Sequence, residues 1–347
     1  MRTVLTAKSA VRIAAVILCL QSFSFSVSAS LADSNWRRQS SGTFSHLRTV
    51  FFLDQNLGWA AGVRGTLLRT EDGGGTWTIE KRPSEDTIRD LVFFDKKEGW
   101  ALCERNIFLM KSMRELRSYL LHTADGGTTW DRLDLEGNDS EARFTRLVSG
   151  GEGRLWLVGE AGSLYATTDR GRSWKRQISP TRYLLMGGTF LNPNQGWLVG
   201  GGASILRTID GGISWRTIMM RNAPGARFEA IAFANANRGW VVGNGGRIFA
   251  TGDGGRNWNP QNSGTETDLA DVKFLDAMEG WAVGAEGTLL HTTDSGAHWT
   301  NVGSGTAHPL ERLAILDRTH AWTVGLGGTI LSLTRSEKDQ APVFRRP

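Results

Sequence analysis

Apolar and polar positions alternate along this chain in short runs. Leu47–Leu53, Gly58–Gly62, Gly65–Thr70 and Trp77–Glu80 are mostly apolar, small or β-branched, and Gly, Asp, Asn or Ser residues separate them. Runs of that length between turn residues predict strands and leave almost no room for helix. The four-piece pattern then returns down the chain. Such a return marks a repeat protein, in which one unit is stacked many times.

Two motifs fix the count. Gly-Trp, two small or β-branched residues and Gly occur at Trp59, Trp197, Trp240 and Trp281, with looser copies at Trp100, Trp156 and Trp322. Thr-x-Asp-x-Gly-x-x-Trp occurs six times, with its acid at Asp72, Asp125, Asp169, Asp210, Asp253 and Asp294. The seventh box tryptophan is Trp36, which precedes Trp59 by the same interval that separates Trp77 from Trp100 and Trp299 from Trp322. Two sets of seven account for all 14 tryptophans.

Four strands per unit and seven units predict an all-β chain, a seven-bladed β-propeller with four-stranded blades. A lone four-stranded sheet cannot cover both its faces, whereas blades packed around an axis cover each other, with indoles filling the wedge between them. The last unit has strand-like runs at Leu310–Ile315, Trp322–Gly325 and Gly328–Leu333 and then enters a polar tail. Its fourth strand is expected from the N-terminal side, at Asn35–Gln39, which closes the ring and removes its open edge. The propeller is placed at 33–335 and a basic C-terminal tail at 336–347.

Composition changes this picture at the two ends. Arg2, Lys8 and Arg12 precede an apolar run from Ile13 to Leu20, and Val27-Ser28-Ala29 offers the small residues of a cleavage site, so 1–29 reads as a signal peptide. Cys19 lies inside the apolar run behind Leu18, which does not suit acylation. The whole chain carries +5, of which three positive charges fall within 1–29 and a net two within 335–347. The propeller itself is neutral, which argues against a nucleic-acid partner. No integral membrane segment remains after cleavage. The expected protein is an exported monomer, periplasmic or extracellular, and lumenal in a photosynthetic host.

The Asp-centred motif resembles the Asp-box, or bacterial neuraminidase repeat. There, Asp accepts turn N–H groups, Thr caps the strand end and Gly takes the left-handed turn conformation. Six equivalent acids around a rim are turn staples and make no active site. Sialidases need an arginine triad, a Tyr–Glu nucleophile pair and an Arg-Ile-Pro segment ahead of the first box; this chain has only Tyr119, Tyr165 and Tyr183, and no such segment precedes Thr70. Taken with the Gly-Trp-(Ala/Val)-Val-Gly strand and with Gly65-Thr66-Leu67-Leu68-Arg69-Thr70, the repeats resemble the photosystem II assembly/stability factor family of exported propellers. That resemblance implies a non-catalytic scaffold without a cofactor or metal, whose partner is another protein, such as a membrane-protein precursor segment. Two alternatives stay open: an envelope interaction propeller unrelated to photosynthesis, and a sialidase-like or glycan-binding propeller.

Departures from the repeat point to a binding face. Blade two is longer by 12 residues between its second and third strands, near Glu104–Arg117, and Met110 and Met113 there suit an adaptable apolar contact. Arg48 and Arg89 occupy matching places, each 11 residues before its blade's tryptophan, and Glu229 and Glu311 take that place in later blades. Arg64, Arg182, Arg227 and Arg247 lie in or beside loops expected at the same end. This end, opposite the Asp-boxes, is the expected partner face, and charge reversal at Arg48 and Arg89 is expected to leave the fold untouched.

Overall fold

A computed structural model of the chain describes residues 35–333 except 111, 113, 114, 136–141 and 221. The signal peptide expected at 1–29, the tail expected at 336–347 and Met113 lie outside the described residues. Seven four-stranded antiparallel sheets follow one another, six of them in simple sequence order from the innermost strand outward and the seventh closed on its outer side by the N-terminal strand. In blade one the strands are Leu47–Phe52, Gly58–Gly62, Leu67–Thr70 and Thr78–Ile79. The innermost strands of successive blades pack side by side, and that of blade seven packs on that of blade one.

Blade seven is closed as expected. Trp36–Arg38 pairs antiparallel with Ile330–Leu333, Trp36 opposite Leu333 and Arg38 opposite Leu331. The seam is also aromatic: Trp36 meets Trp281 edge-on at 5.3 Å, and Trp322 of blade seven stacks on Phe52 of blade one at 3.5 Å.

The tryptophans fill the wedges through a repeated three-ring stack. The second-strand Trp59 lies flat on Phe93 of blade two at 3.7 Å, and Phe93 in turn meets the box Trp130 edge-on. Phe190, Phe233 and Phe274 are held in the same way by Trp156, Trp197 and Trp240. Each such Phe is paired across its own hairpin with the glycine of Gly-Trp, as Phe52 is with Gly58. A Cβ on Gly58 would lie 2.5 Å from the Phe52 ring. That explains the looser motif copies at Trp156 and Trp322: Ser149 pairs with Leu155 and Ile315 with Ala321, so no ring lies there to demand glycine. The preceding blades lose their Phe partner and use histidine instead. Trp100 leans on His122 at 4.6 Å, and Trp281 stacks on His291 at 3.8 Å.

Every innermost strand also carries a β-bulge near its start, as between Leu47 and Thr49. The same register shift recurs in the other six blades. A bulge leaves one residue unpaired and re-aims its side chain. Here the seven bulged residues are Arg48, Arg89, Thr145, Met186, Glu229, Ala270 and Glu311, and all seven line one mouth of the central channel.

Candidate functional site

The channel mouth lies at the end expected to bind a partner. Leu47 faces Gly62 and Ala61 faces Leu67, so the start of the first strand, the second-to-third-strand turn and the blade-to-blade connections share one end. Phe52, Gly58 and Thr70 mark the opposite end, where the Asp-boxes lie.

The boxes are turn staples tied to the preceding blade. Thr208 Oγ1 donates to Asp210 at 2.7 Å, Ser214 N–H donates at 3.0 Å, and Gly212 N–H donates to Thr208 Oγ1 at 2.8 Å. The expected roles are thus redistributed. The glycine N–H goes to the threonine, and the carboxylate mostly takes one N–H together with hydroxyls, because Thr, Ser, Asn or His stands four residues on. Second-strand tryptophans donate to box carbonyls of the following blade: Trp59 to Gly126, Trp100 to Arg170, Trp240 to Ser295 and Trp322 to Gly73.

Around the mouth, charge is segregated. Arg89 Nε holds Glu104 at 3.0 Å, Glu104 also receives Arg143 at 3.4 Å, and Arg143 and Arg117 share Glu160 at 3.1 Å each. Burial lowers the Arg89 pKa from the ordinary arginine value; Glu104 opposes this, and the neighbouring guanidiniums of Arg143, Arg48 and Arg146 add to it. Four arginines thus converge on blades one to three. Arg48 Nη1 lies 2.9 Å from Glu311, which His46 also reaches at 2.7 Å. Burial alone would raise the Glu311 pKa, but His46, Arg48 and Arg89 outweigh it and hold the group below the usual value.

Sequence reasoning placed Arg48 and Arg89 correctly at matching positions and missed Arg143 and Arg146. Arg146 stands ten residues before Trp156, one place beyond the position compared; extending that comparison by one residue finds it. The remaining candidates occupy separate loops of the same end. Arg64 stands exposed at the turn of blade one, and Arg182 is exposed before blade four. Arg227 is tied to Glu229 at 2.6 Å and to Asp268 at 3.3 Å, and Arg247 donates to the Asn244 carbonyl. The ion pairs at Arg48 and Arg89 also correct the expectation about charge reversal: a carboxylate at either place would stand beside Glu311 or Glu104.

The long turn of blade two is anchored at its neck by the Arg105–Glu115 pair and by Arg105 N–H donating to the Arg117 carbonyl. Asn106 caps a single helical turn at Ile107–Leu109. This turn presents Phe108, 89 % exposed, and Ile107, whereas Met110 is half-buried. The exposed apolar group of this turn is therefore Phe108 rather than Met110.

Among the described residues, no helix is long and apolar enough to cross a membrane. Residues 28–189, 178–262 and 225–330 match the family model described as Photosynthesis system II assembly factor YCF48. A 133-residue stretch is 32% identical to photosystem II stability/assembly factor HCF136 of Oryza sativa subsp. japonica, covering 37% of this chain and 29% of that one. The assembly lipoprotein Ycf48 of Synechococcus sp. strain CC9902 is 25% identical over 151 residues, 43% of this chain and 41% of the relative. The matched stretches thus span less than half the length of these curated relatives. A solved structure of YCF48 bound to D1 peptide superposes with a TM-score of 0.71 at 21% identity, over 87% of this chain and 96% of that one, which shows the shared fold. The chain belongs to the YCF48 family of photosystem II assembly factors.

Proposed function

We propose that this member of the assembly-factor family is a non-catalytic, exported scaffold that holds a segment of a membrane-protein precursor across the arginine side of the channel mouth. The observation that carries this reading is the convergence of Arg48, Arg89, Arg143 and Arg146 at the end of the ring that also bears the long turn with the exposed Phe108. Arginines already held by glutamates are pre-ordered, so an incoming carboxylate finds fixed forks and loses little side-chain freedom on binding. Phe108 and Ile107 offer apolar contact at the same end of the ring. A segment with acidic and apolar side chains fits this surface, and the related YCF48 structure holds a D1 peptide.

The test is capture of a synthetic D1 peptide and of envelope proteins by the wild type, by Arg48→Gln with Arg89→Gln, and by Phe108→Ala. Glutamine removes charge without facing Glu311 or Glu104 with another carboxylate. The double variant is expected to weaken binding about tenfold or more, from the loss of two charge-assisted contacts, and the difference is expected to widen at low salt. Lys175→Glu with Arg176→Glu, on an outer strand, is the control. Equal capture by all four proteins refutes the reading.

A further inference from the structure

Blades two and three, and again blades six and seven, carry the same charged pair immediately after the bulge. Asp90 is followed one blade on by Arg146, and Asp271 by Arg312, and all four line the central channel. Each aspartate is buried, at 6 % and 3 % exposure, and is committed to the backbone of the next blade. Asp90 Oδ2 accepts the Leu147 N–H at 3.0 Å, and Asp271 Oδ2 accepts the Leu313 N–H at 2.9 Å. Their other oxygens take Thr49 Oγ1 and the Leu91 N–H, and the Val272 N–H.

The arginines of these pairs are left over. Arg146 spends Nε on the Met186 carbonyl at 3.1 Å. Arg312 has its Nε shielded from solvent without a hydrogen-bond partner, and no ion pair holds it among the described residues. Arg48, Arg89 and Arg143 at the same mouth each hold a glutamate, whereas no ion pair is found at Arg146 or Arg312 among the described residues. Lys273 adds a third positive group, and the cavity measures about 310 Å³.

We infer that the central channel is an oxyanion site, in which Arg146 and Arg312 reach from nearly opposite sides of the ring to hold a phosphate-like or carboxylate group. A guanidinium fork matches two oxygens of either group, and three positive groups outnumber the two aspartates. A cation is disfavoured, because the carboxylate oxygens already accept N–H groups and arginines stand beside them. Burial pushes Asp90 and Asp271 up from the ordinary carboxylate value, against the lowering influence of Arg146 on both and of Lys273 on Asp271. The site shares Arg146 with the partner face proposed above, whereas Arg312 and Lys273 play no part in that reading.

Melting of the purified protein in inorganic phosphate, against sodium chloride at equal ionic strength, tests it. Binding to the folded state alone is expected to raise the melting temperature by about 3 °C or more at saturation. Arg312→Ala and Arg146→Ala are expected to abolish the rise, and Lys175→Ala to keep it. Calorimetric titration with N-acetyl-glycylglycine, as free acid and as amide, supplies a second readout for variants that melt poorly. A response to phosphate supports a free ion as ligand, and a response to the free acid but not to its amide or to phosphate supports a chain-terminal carboxylate. Silence from both probes, or an undiminished response in Arg312→Ala, overturns the site.

Discussion

Gly239→Ala measures how tightly the three-ring stack constrains the Gly-Trp motif. Gly239 does not occupy the left-handed region, so alanine introduces no backbone strain. Its methyl would, however, lie 2.6 Å from Cε1 and Cζ of Phe233, where carbon atoms prefer about 3.5–4.0 Å. The ring cannot yield freely, because it stacks on Trp197 at 3.6 Å and meets Trp258 edge-on at 6.0 Å. Overpacking costs about 1–3 kcal/mol, and disturbing an aromatic pair adds about 0.5–1.5 kcal/mol, so the expected loss is about 2–4 kcal/mol. Phe233→Ile alone removes the ring and costs about 2 kcal/mol, less than full truncation to alanine. The double variant recreates the Ile315–Ala321 pairing already present in blade seven. It is expected to lose about 2 kcal/mol, well short of the sum, because the new methyl no longer meets a ring. Urea unfolding reads this as shifts in midpoint at constant slope. Additivity within about 0.5 kcal/mol, or a Gly239→Ala protein as stable as wild type, refutes the steric account.

Deleting residues 33–42 removes the closing strand and the Trp36–Trp281 contact; the melting temperature is expected to fall sharply, and a truncated protein that melts like the full propeller contradicts strand-based closure. Asp210→Ala is expected to cost about 1–3 kcal/mol in urea unfolding, from donors left without an acceptor, while peptide capture survives wherever the fold does; lost capture at unchanged stability would give the box a direct role. Asp72, Asp125, Asp210 and Asp294 are held down to about 2, chiefly by hydrogen bonds from the residue four positions on. Because these folded-state values lie below the unfolded one, their stabilisation is complete above about pH 4 and fades as the pH falls toward 2. The melting temperature should therefore drop mainly in that window, and less steeply in Asp210→Asn; a loss concentrated between pH 7 and pH 5 contradicts it.

Blade number, ring closure, the long turn of blade two and the end at which it lies were all legible, because each depends on spacing between motifs that the sequence displays directly. Three features were not. The Phe–Gly pairing is invisible until strand register is known, since Phe52 and Gly58 meet only across a hairpin. The ion pairs of Arg48 with Glu311 and of Arg89 with Glu104 join residues whose nearness follows from ring closure in one case and from hairpin pairing in the other. The choice of Phe108 over Met110 as the exposed apolar group depends on one helical turn inside a segment that has no equivalent in the other blades, so no repeat existed against which to read it.

The bulges show how a sevenfold frame comes to bear a one-sided site. Immediately before each bulge stand Leu47, Ile88, Phe144, Leu185, Phe228, Leu269 and Leu310, every one large, apolar and buried. Packing between blades dictates that column, and a polar residue there would open the core. The bulged column has the same backbone in every blade but faces the mouth, and it runs through Arg, Arg, Thr, Met, Glu, Ala and Glu. No packing requirement sets those identities. The next column, Thr49, Asp90, Arg146, Gly187, Ala230, Asp271 and Arg312, is just as varied and faces the channel. Adjacent positions in one strand are thus under opposite constraints. The frame can stay regular to within one residue of the mouth while charge is redistributed freely around it, and blades one and two hold arginines where blades five and seven hold glutamates.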